Sequence, residues 1–195
     1  MGLLDYNNIF VKEKVRFLKY GNVYDLLDEQ GKLIGSAKEE NITFLRKIIK
    51  LTKYKYHLGF DVSFYDERNN RLFTIHSGPK FFLSKATVKD RSGRVIGKYI
   101  QKFKLLKPRF LVEDQRGTQI ATFEGKWHGW NYWFTNNNDE RLCDINKKFA
   151  GLKEIFTTAD HYHIQFDKSI KIDGDTKKLV LAGAAIIDIL FTERR

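Results

Sequence analysis

Cysteine and proline are scarce in this chain. Of its 195 residues, one is a cysteine, Cys143, and two are prolines, Pro79 and Pro108. A single cysteine excludes an intramolecular disulfide and is typical of a reducing compartment. No proline- or serine-rich linker divides the sequence, so we expect one domain over residues 1–195, long enough to bury a sizeable core.

Signals for export and for several common enzyme classes are also absent. The N-terminus has no basic region followed by an apolar run, so no signal peptide is predicted. Gly2 is the residue that myristoylation uses, but Tyr6 stands where that pattern has Ser or Thr. No glycine-rich phosphate loop, dinucleotide fingerprint or G-x-S-x-G elbow occurs. We therefore expect a cytoplasmic, non-enzymatic protein.

Acidic residues are outnumbered by basic ones. The chain has 35 Lys and Arg against 24 Asp and Glu, a formal charge of +11 with a sequence pI near 9.6. Hydrophobic residues make up 42% and aromatic residues 14%, which indicates a folded globular protein. The charge suits an anionic partner such as nucleic acid, an anionic lipid surface or an acidic protein. Charge alone does not choose among these, or separate them from simple solubility.

One hydrophobic run, Leu179 to Phe191, organises the rest of the chain. It lacks strand-like alternation, contains good helix formers and has one polar residue, Asp188. A helix that is apolar all round must be buried on all sides. The run is shorter than the roughly 20 residues that cross a bilayer, so we predict burial inside a barrel. Asp188 would then accept hydrogen bonds from the wall, pair with a basic side chain, or serve as a functional acid.

A short turn pattern recurs along the chain. An Asp and further polar residues are followed by Gly, with β-type residues on both sides, which is typical of a hairpin. Five such hairpins imply about ten strands in a sandwich or barrel. The turns lie in Leu27–Gly35, Val88–Gly97 and Val112–Ala121, with looser copies at Asp66–Asn70 and Asn136–Asp139. The predicted strands and hairpins are Ile9–Lys19, Tyr24–Asp28 with Leu33–Lys38, Phe60–Ile75, Phe82–Lys102, Arg109–Glu124, Trp130–Lys147 and Tyr162–Phe166.

Two segments concentrate basic side chains. Asn41–Tyr54 predicts a short amphipathic helix that carries Arg46, Lys47 and Lys50 and either packs on the barrel or contacts a membrane surface. In the second segment, alternation places Lys98, Lys102 and Lys104 on one strand face, with Arg94 of the same parity across the turn. This face must point outward as a continuous positive stripe. Tyr99 and Phe103 then face inward. Ile96 and Ile100 break the alternation, which indicates a bulge or a partly covered outer face. This second candidate surface consists of Arg94, Lys98, Lys102, Lys104, Lys107 and Arg109.

Three stretches resemble the phospholipid scramblase family. They are Phe156–Phe166, Leu181–Asp188 and Glu124–Phe134, and the likeness extends over most of the chain from about Tyr24. That family is similar to the tubby C-terminal domain and to the plant LURP-one-related proteins. The resemblance implies a mainly β fold, a closed barrel of about twelve antiparallel strands around a buried C-terminal hydrophobic helix. It also implies binding of lipid head groups.

The same resemblance implies a calcium site with Asp160 and Asp167 as ligands. Thr158 and Ser169 stand where members proposed to bind calcium have acidic residues, so we expect weak or no calcium binding and no other cofactor. His163 has i, i+2 spacing with His161 in the predicted strand, but no third metal ligand follows at a characteristic spacing.

We therefore expect a barrel that binds anionic phospholipid peripherally at the inner face of a membrane. The two basic segments would supply the contacts, and transbilayer scrambling is a further activity that the resemblance implies. The alternative is a nucleic-acid- or protein-binding module that uses the same basic surface. An enzyme acting on a small ligand in the barrel mouth would need a nucleophile and base, and the sequence offers no such arrangement.

Overall fold

Twelve antiparallel strands close into a barrel, which confirms the predicted fold. The computed structural model describes residues 2–14, 23–40, 59–78, 85–102, 109–126, 131–146 and 161–189. Each strand pairs with the next along the chain, and β1 pairs with β12 to close the circle. The strands are β1 (Asn8–Glu13), β2 (Val23–Leu27), β3 (Leu33–Glu40), β4 (Phe60–Asp66), β5 (Arg71–Ser77), β6 (Lys85–Asp90), β7 (Val95–Lys102), β8 (Arg109–Glu113), β9 (Gln119–Lys126), β10 (Asn131–Asn136), β11 (Arg141–Asn146) and β12 (His161–Phe166).

All five predicted hairpin turns are present, and they share one geometry. In each turn a side-chain oxygen accepts hydrogen bonds of 2.8–3.0 Å from the backbone nitrogens two and four residues later. The residue three positions on has a positive φ, which glycine adopts at no steric cost and Asn or Asp tolerates. The accepting residues are Asp28, Asp66, Asp90, Asp114 and Asn136, and those with positive φ are Gly31, Asn69, Gly93, Gly117 and Asp139.

A β-bulge follows every one of these turns. The pairing register skips one aliphatic residue on the returning strand, so two residues there oppose one on its partner. Of the two residues that break the alternation in β7, Ile96 lies in a bulge, whereas Ile100 pairs without a register shift and is half-buried on the outer face. Of the five skipped residues, three are buried, including Ile96 with 8% of its surface exposed. The other two are partly buried and pack against the core. The bulged residues are Ile34, Leu72, Ile96, Ile120 and Leu142.

The hydrophobic run is helical and lies inside the barrel. The helix α1 spans Gly174–Ile187, and every residue of Leu179–Ile187 is buried. It begins five residues before the predicted start because Asp173 caps it, accepting hydrogen bonds from the backbone nitrogens of Asp175 and Thr176. No helix among the described residues is long and apolar enough to cross a membrane.

Alternating connections give the barrel two different ends. The five hairpin turns and the start of α1 lie at one end of the barrel, here called the turn end. Lys177 of α1 donates a hydrogen bond to the backbone oxygen of Tyr6. A short 3-10 helix, Leu3–Asp5, also lies in this N-terminal region. The odd-numbered strands β1 to β11 finish at the opposite end, here called the far end. The connections between these strands and their successors fall outside the described residues, and they include the predicted helix Asn41–Tyr54.

Candidate functional site

The carboxyl group of Asp188 is buried inside the barrel. It lies at the end of α1 with 4% of its surface exposed. Tyr24 of β2 donates a hydrogen bond to one carboxyl oxygen at 2.5 Å, and Tyr162 of β12 donates to the other. Of the three roles considered for Asp188, the structure confirms acceptance from the barrel wall. Burial, followed by the nearby Asp188, raises the pKa of Tyr24 well above its ordinary value.

The cavities described in the barrel are small. One beside Asp188 measures about 10 Å³, roughly the space for one water molecule. Another of about 220 Å³ lies at the turn end, where Ile120 and Leu142 face the loop through Ile170 and Ile172. Small-molecule sites usually start at about 300 Å³. Neither of these two cavities reaches that volume.

The outer face of β7 carries two of the predicted basic residues. Lys102 is exposed and Lys98 half-buried, while Tyr99 between them is fully buried and donates to the backbone oxygen of Leu179 at 2.6 Å. The predicted outward direction of Lys98 and Lys102 and the inward direction of Tyr99 are thus confirmed, while Phe103 and Lys104 lie outside the described residues. Lys98 lies opposite Glu113 of β8 and Lys102 opposite Arg109, so positive charge concentrates toward the far end of this strand pair.

Arg94 is at the other end of the barrel and is held in ion pairs. It bonds Asp90 in its own turn at 2.9 Å and Asp175 near the start of α1 at 2.7 Å. These two carboxylates raise the pKa of Arg94. Eight residues of extended chain, at about 3.3 Å each, put Arg94 roughly 26 Å from Lys102. The structure therefore does not bring Arg94 together with Lys102.

The far end gathers basic residues from four consecutive strands. Arg109 is half-buried at the start of β8, with its Nε 3.6 Å from a carboxylate oxygen of Glu124. Lys102 lies beside it, and Lys85 of β6 and Lys126 of β9 are exposed on either side. Sequence reasoning missed Lys85 and Lys126. Lys85 is the first residue of β6 and Lys126 is the last residue of β9, so each is the residue of its strand nearest the far end. Finding them from the sequence would require knowing where these strands begin and end.

The other predicted site residues fall in connections outside the described residues. Lys104 and Lys107 belong to the connection from β7 to β8. Arg46, Lys47 and Lys50 belong to the one from β3 to β4. Asp160 directly precedes β12. All of these connections join strands at the far end of the barrel.

Asp167, the other candidate calcium ligand, is exposed at the end of β12. One of its carboxylate oxygens accepts hydrogen bonds from the Ser169 backbone nitrogen at 2.7 Å and hydroxyl at 2.6 Å. The pKa of Asp167 is lowered mainly by the hydrogen bond from the Ser169 hydroxyl, and less by the one from the Ser169 backbone nitrogen. In the described part of the chain, no three His, Cys, Asp or Glu side chains are grouped to hold a metal ion.

We predict that calcium binds this protein with a dissociation constant weaker than the low micromolar range. Calcium affinity rises with the number of charged oxygen ligands, and one oxygen of Asp167 already serves its own turn. Isothermal titration of calcium into the protein measures this directly. Asp167→Ala should leave the titration unchanged. A dissociation constant in the low micromolar range or tighter would contradict the prediction.

His163 belongs to the packing between β1 and β12. It is 4% exposed and stacks on Phe10 with ring centroids 4.6 Å apart. Its Nε2 lies 3.1 Å from Oδ1 of Asn8. Burial lowers the pKa of His163, so the neutral ring is favoured in this position.

A closed antiparallel barrel with a hydrophobic C-terminal helix on its axis defines a tubby-like barrel. A model of the Scramblase family matches residues 3–194, nearly the whole chain. The chain belongs to the Scramblase family, which confirms the resemblance carried by its C-terminal motifs.

Two individual proteins show how far these similarities extend. A phospholipid scramblase family protein of Schizosaccharomyces pombe is 22% identical over 180 residues, which cover 87% of this chain and 47% of that protein. The chain therefore spans about half the length of this relative. The crystal structure of a protein from Arabidopsis thaliana superposes with a TM-score of 0.52 and 12% identity, covering 96% of this chain and 92% of that one. This second likeness concerns the fold alone.

Proposed function

We propose that this chain is a non-enzymatic scramblase-family protein that binds anionic phospholipid at a membrane surface. The contacts are made by Lys98, Lys102 and Arg109 of the barrel together with basic side chains of the far-end connections. Those connecting residues are Lys104, Lys107, Arg46, Lys47 and Lys50.

The distribution of charge between the barrel and its connections carries the proposal. The described residues hold 20 of the 35 Lys and Arg and 21 of the 24 Asp and Glu, so they are close to neutral. The remaining residues therefore hold 15 basic and 3 acidic residues. These charged residues all belong to chain segments that follow an odd-numbered strand or α1, and so leave the barrel at its far end. The excess charge of the chain is thus attached to one end.

The same segments are rich in aromatic residues. Phe44, Phe81 and Phe82, together with Trp127 and Trp130, all belong to far-end connections. Basic residues interleaved with Phe, Trp and Leu are typical of proteins that bind at a lipid–water interface. Nucleic acid would also attract the charge, but a bilayer accommodates both the charge and the apolar side chains.

The expected binding is reversible and depends on salt. Each Lys or Arg near an anionic membrane surface contributes about 1 kcal/mol, so several together give a stable encounter. Exposed charges are screened over about 8 Å at physiological ionic strength, so added salt weakens the attraction.

Replacing Lys98, Lys102 and Lys104 together by Glu should abolish binding to vesicles that contain phosphatidylserine. The variant inverts three charges on the far part of β7 and the residues that follow it. Co-sedimentation with liposomes, with and without anionic lipid and at low and high salt, is the measurement. Because Lys98 and Lys102 point outward, the melting temperature should stay nearly unchanged.

Two controls accompany this measurement. Neither the parent nor the triple variant should bind neutral phosphatidylcholine vesicles. Arg94→Ala should bind anionic vesicles like the parent, because the Arg94 side chain is held in ion pairs by Asp90 and Asp175. Undiminished vesicle binding by the triple variant would remove β7 from the proposed site. The nucleic-acid alternative would be favoured if the parent bound single-stranded nucleic acid but not vesicles, and if the triple variant lost the nucleic-acid binding.

A further inference from the structure

We propose that the barrel docks end-on, with its far end toward an anionic bilayer. The described strands contact the bilayer through a cationic edge formed by Lys85, Lys102, Arg109 and Lys126. This inference rests on the proposed function and adds the orientation of the molecule. It also adds Lys85 and Lys126 to the lipid contacts.

The cationic edge follows from strand direction and register. Lys85 begins β6, Lys102 ends β7, Arg109 begins β8 and Lys126 ends β9, so all four lie at the same end. Lys102 pairs directly with Arg109 across the two strands. Adjacent strands lie about 4.8 Å apart, so four of them spread these charges over roughly 15 Å. That width suits several lipid head groups side by side.

The charges of this edge are available to a partner. Lys85, Lys102 and Lys126 are exposed and form no ion pair with the other described residues. Arg109 is the exception, with Glu124 at 3.6 Å. At the turn end, by contrast, Arg94 is shared between two carboxylates.

Among the described residues near the far end, β3 and β4 carry acidic side chains. Strand β3 ends with Glu39 and Glu40, and Asp61 lies near the start of β4. Glu40 accepts from the Tyr65 hydroxyl at 2.7 Å, and Asp61 lies 2.5 Å from Nδ1 of His76. The basic residues that the described strands place at the far end therefore lie on β6–β9, and the contact that these strands offer to an anionic surface is on that side.

This orientation has a consequence for the rest of the molecule. The end of α1, marked by Asp188, points toward the bilayer, and the five hairpin turns point away from it. Residues exposed in the turns, such as Arg91 and Arg116, should then contribute nothing to lipid binding although they carry the same charge as the edge lysines.

A pair of matched double variants tests the edge. Lys85→Glu with Lys126→Glu inverts two charges at the cationic edge, and Arg91→Glu with Arg116→Glu inverts two at the turn end. Titration with phosphatidylserine-containing vesicles should show at least a tenfold loss of affinity for the first and less than a twofold change for the second. Equal losses would mean that net charge alone matters, and no loss in the edge variant would also overturn the inference. Vesicle binding by the parent, measured in the same titration, tests the proposed function separately.

A second measurement reports orientation without altering the charges. Asn131 is exposed at the far end beside Lys126, and Gln115 is exposed at the turn end. A fluorophore on a cysteine at position 131 should be quenched by spin-labelled lipid, and one at position 115 should not. The native Cys143 is 1% exposed and burial raises the pKa of its thiol, so labelling should be confined to the new cysteines. Quenching at position 115 equal to that at 131 would contradict end-on docking.

Discussion

Gly183→Leu should lower the free energy of unfolding by about 3 kcal/mol or more, at the upper end of the range for overpacked cores. Gly183 lies in the middle of α1, where the helix contacts the barrel wall. A Cβ atom there would lie 2.9 Å from the Tyr99 hydroxyl and 3.0 Å from the Phe123 ring. Moving Tyr99 would also disturb its hydrogen bond to the backbone oxygen of Leu179. In a chain of this size the melting temperature should fall by roughly 6–12 °C, which thermal unfolding followed by circular dichroism measures.

Gly174 provides a matched control within the same helix. A Cβ at position 174 would meet only the side chain of Leu4, at an ordinary 3.7 Å. Gly174→Ala should therefore be neutral or stabilise the protein by up to about 1 kcal/mol through helix propensity. Gly183→Ala gains the same propensity but pushes on Tyr99 and Phe123, so it should be the less stable of the two. A Gly183→Leu protein with an unchanged melting temperature would contradict the enclosure of α1.

Local patterns are what made much of this fold predictable. A turn needs an Asp that bonds its own backbone and a residue that tolerates positive φ, and both signals lie within five residues. All five turns were found for this reason, including the one that uses Asn136 and Asp139 instead of Asp and Gly. The irregularity at Ile96 was visible because it interrupts a strand alternation, but alternation did not separate a bulge from a partly covered outer face. The start of α1 was placed too late because its first turn is polar, and hydrophobicity gave no sign of the Asp173 cap.

Contacts between distant segments were not predictable in the same way. Arg94 meets Asp175, 81 residues later, because a turn and the start of a helix share one end of the barrel. Alternation within β7 could show that Lys98 points outward, but not which residues of other strands lie beside it. The cationic edge likewise depends on where four strands begin and end. Sequence reasoning therefore named Lys102 and Arg109 but missed Lys85 and Lys126.

Asp188 shows how a single buried polar group ties the helix to the wall. Tyr24 precedes it by 164 residues and Tyr162 by 26, so the carboxyl group joins α1 to two strands that lie on either side of β1. Burial and the carboxyl group of Asp188 also raise the pKa of Tyr132, to about 12, burial being the larger cause. Tyr24 and Tyr132 thus stay protonated at neutral pH, and Tyr24 donates its hydroxyl proton to Asp188.

Replacing Asp188 by Ala should cost about 3 kcal/mol, because a buried hydroxyl that loses its acceptor costs about 1–3 kcal/mol and two tyrosines are affected. Asp167→Ala removes an exposed carboxylate that serves only its local turn, and it should cost less than about 1 kcal/mol. Urea unfolding of the two variants provides the comparison. A cost for Asp188→Ala as small as that for Asp167→Ala would show that the carboxyl group does not hold the helix.

The Tyr24–Asp188 pair should behave as a coupled unit in a double-mutant cycle. Tyr24→Phe removes one donor, and in the Asp188→Ala background it also removes the hydroxyl that had lost its acceptor. The double variant should therefore be more stable than the sum of the two single effects predicts, by about 1 kcal/mol or more. Strictly additive effects would mean that the hydroxyl finds another partner or water when Asp188 is removed. Coupling would place the hydrogen bond between β2 and the end of α1 among the interactions that keep the helix inside the barrel.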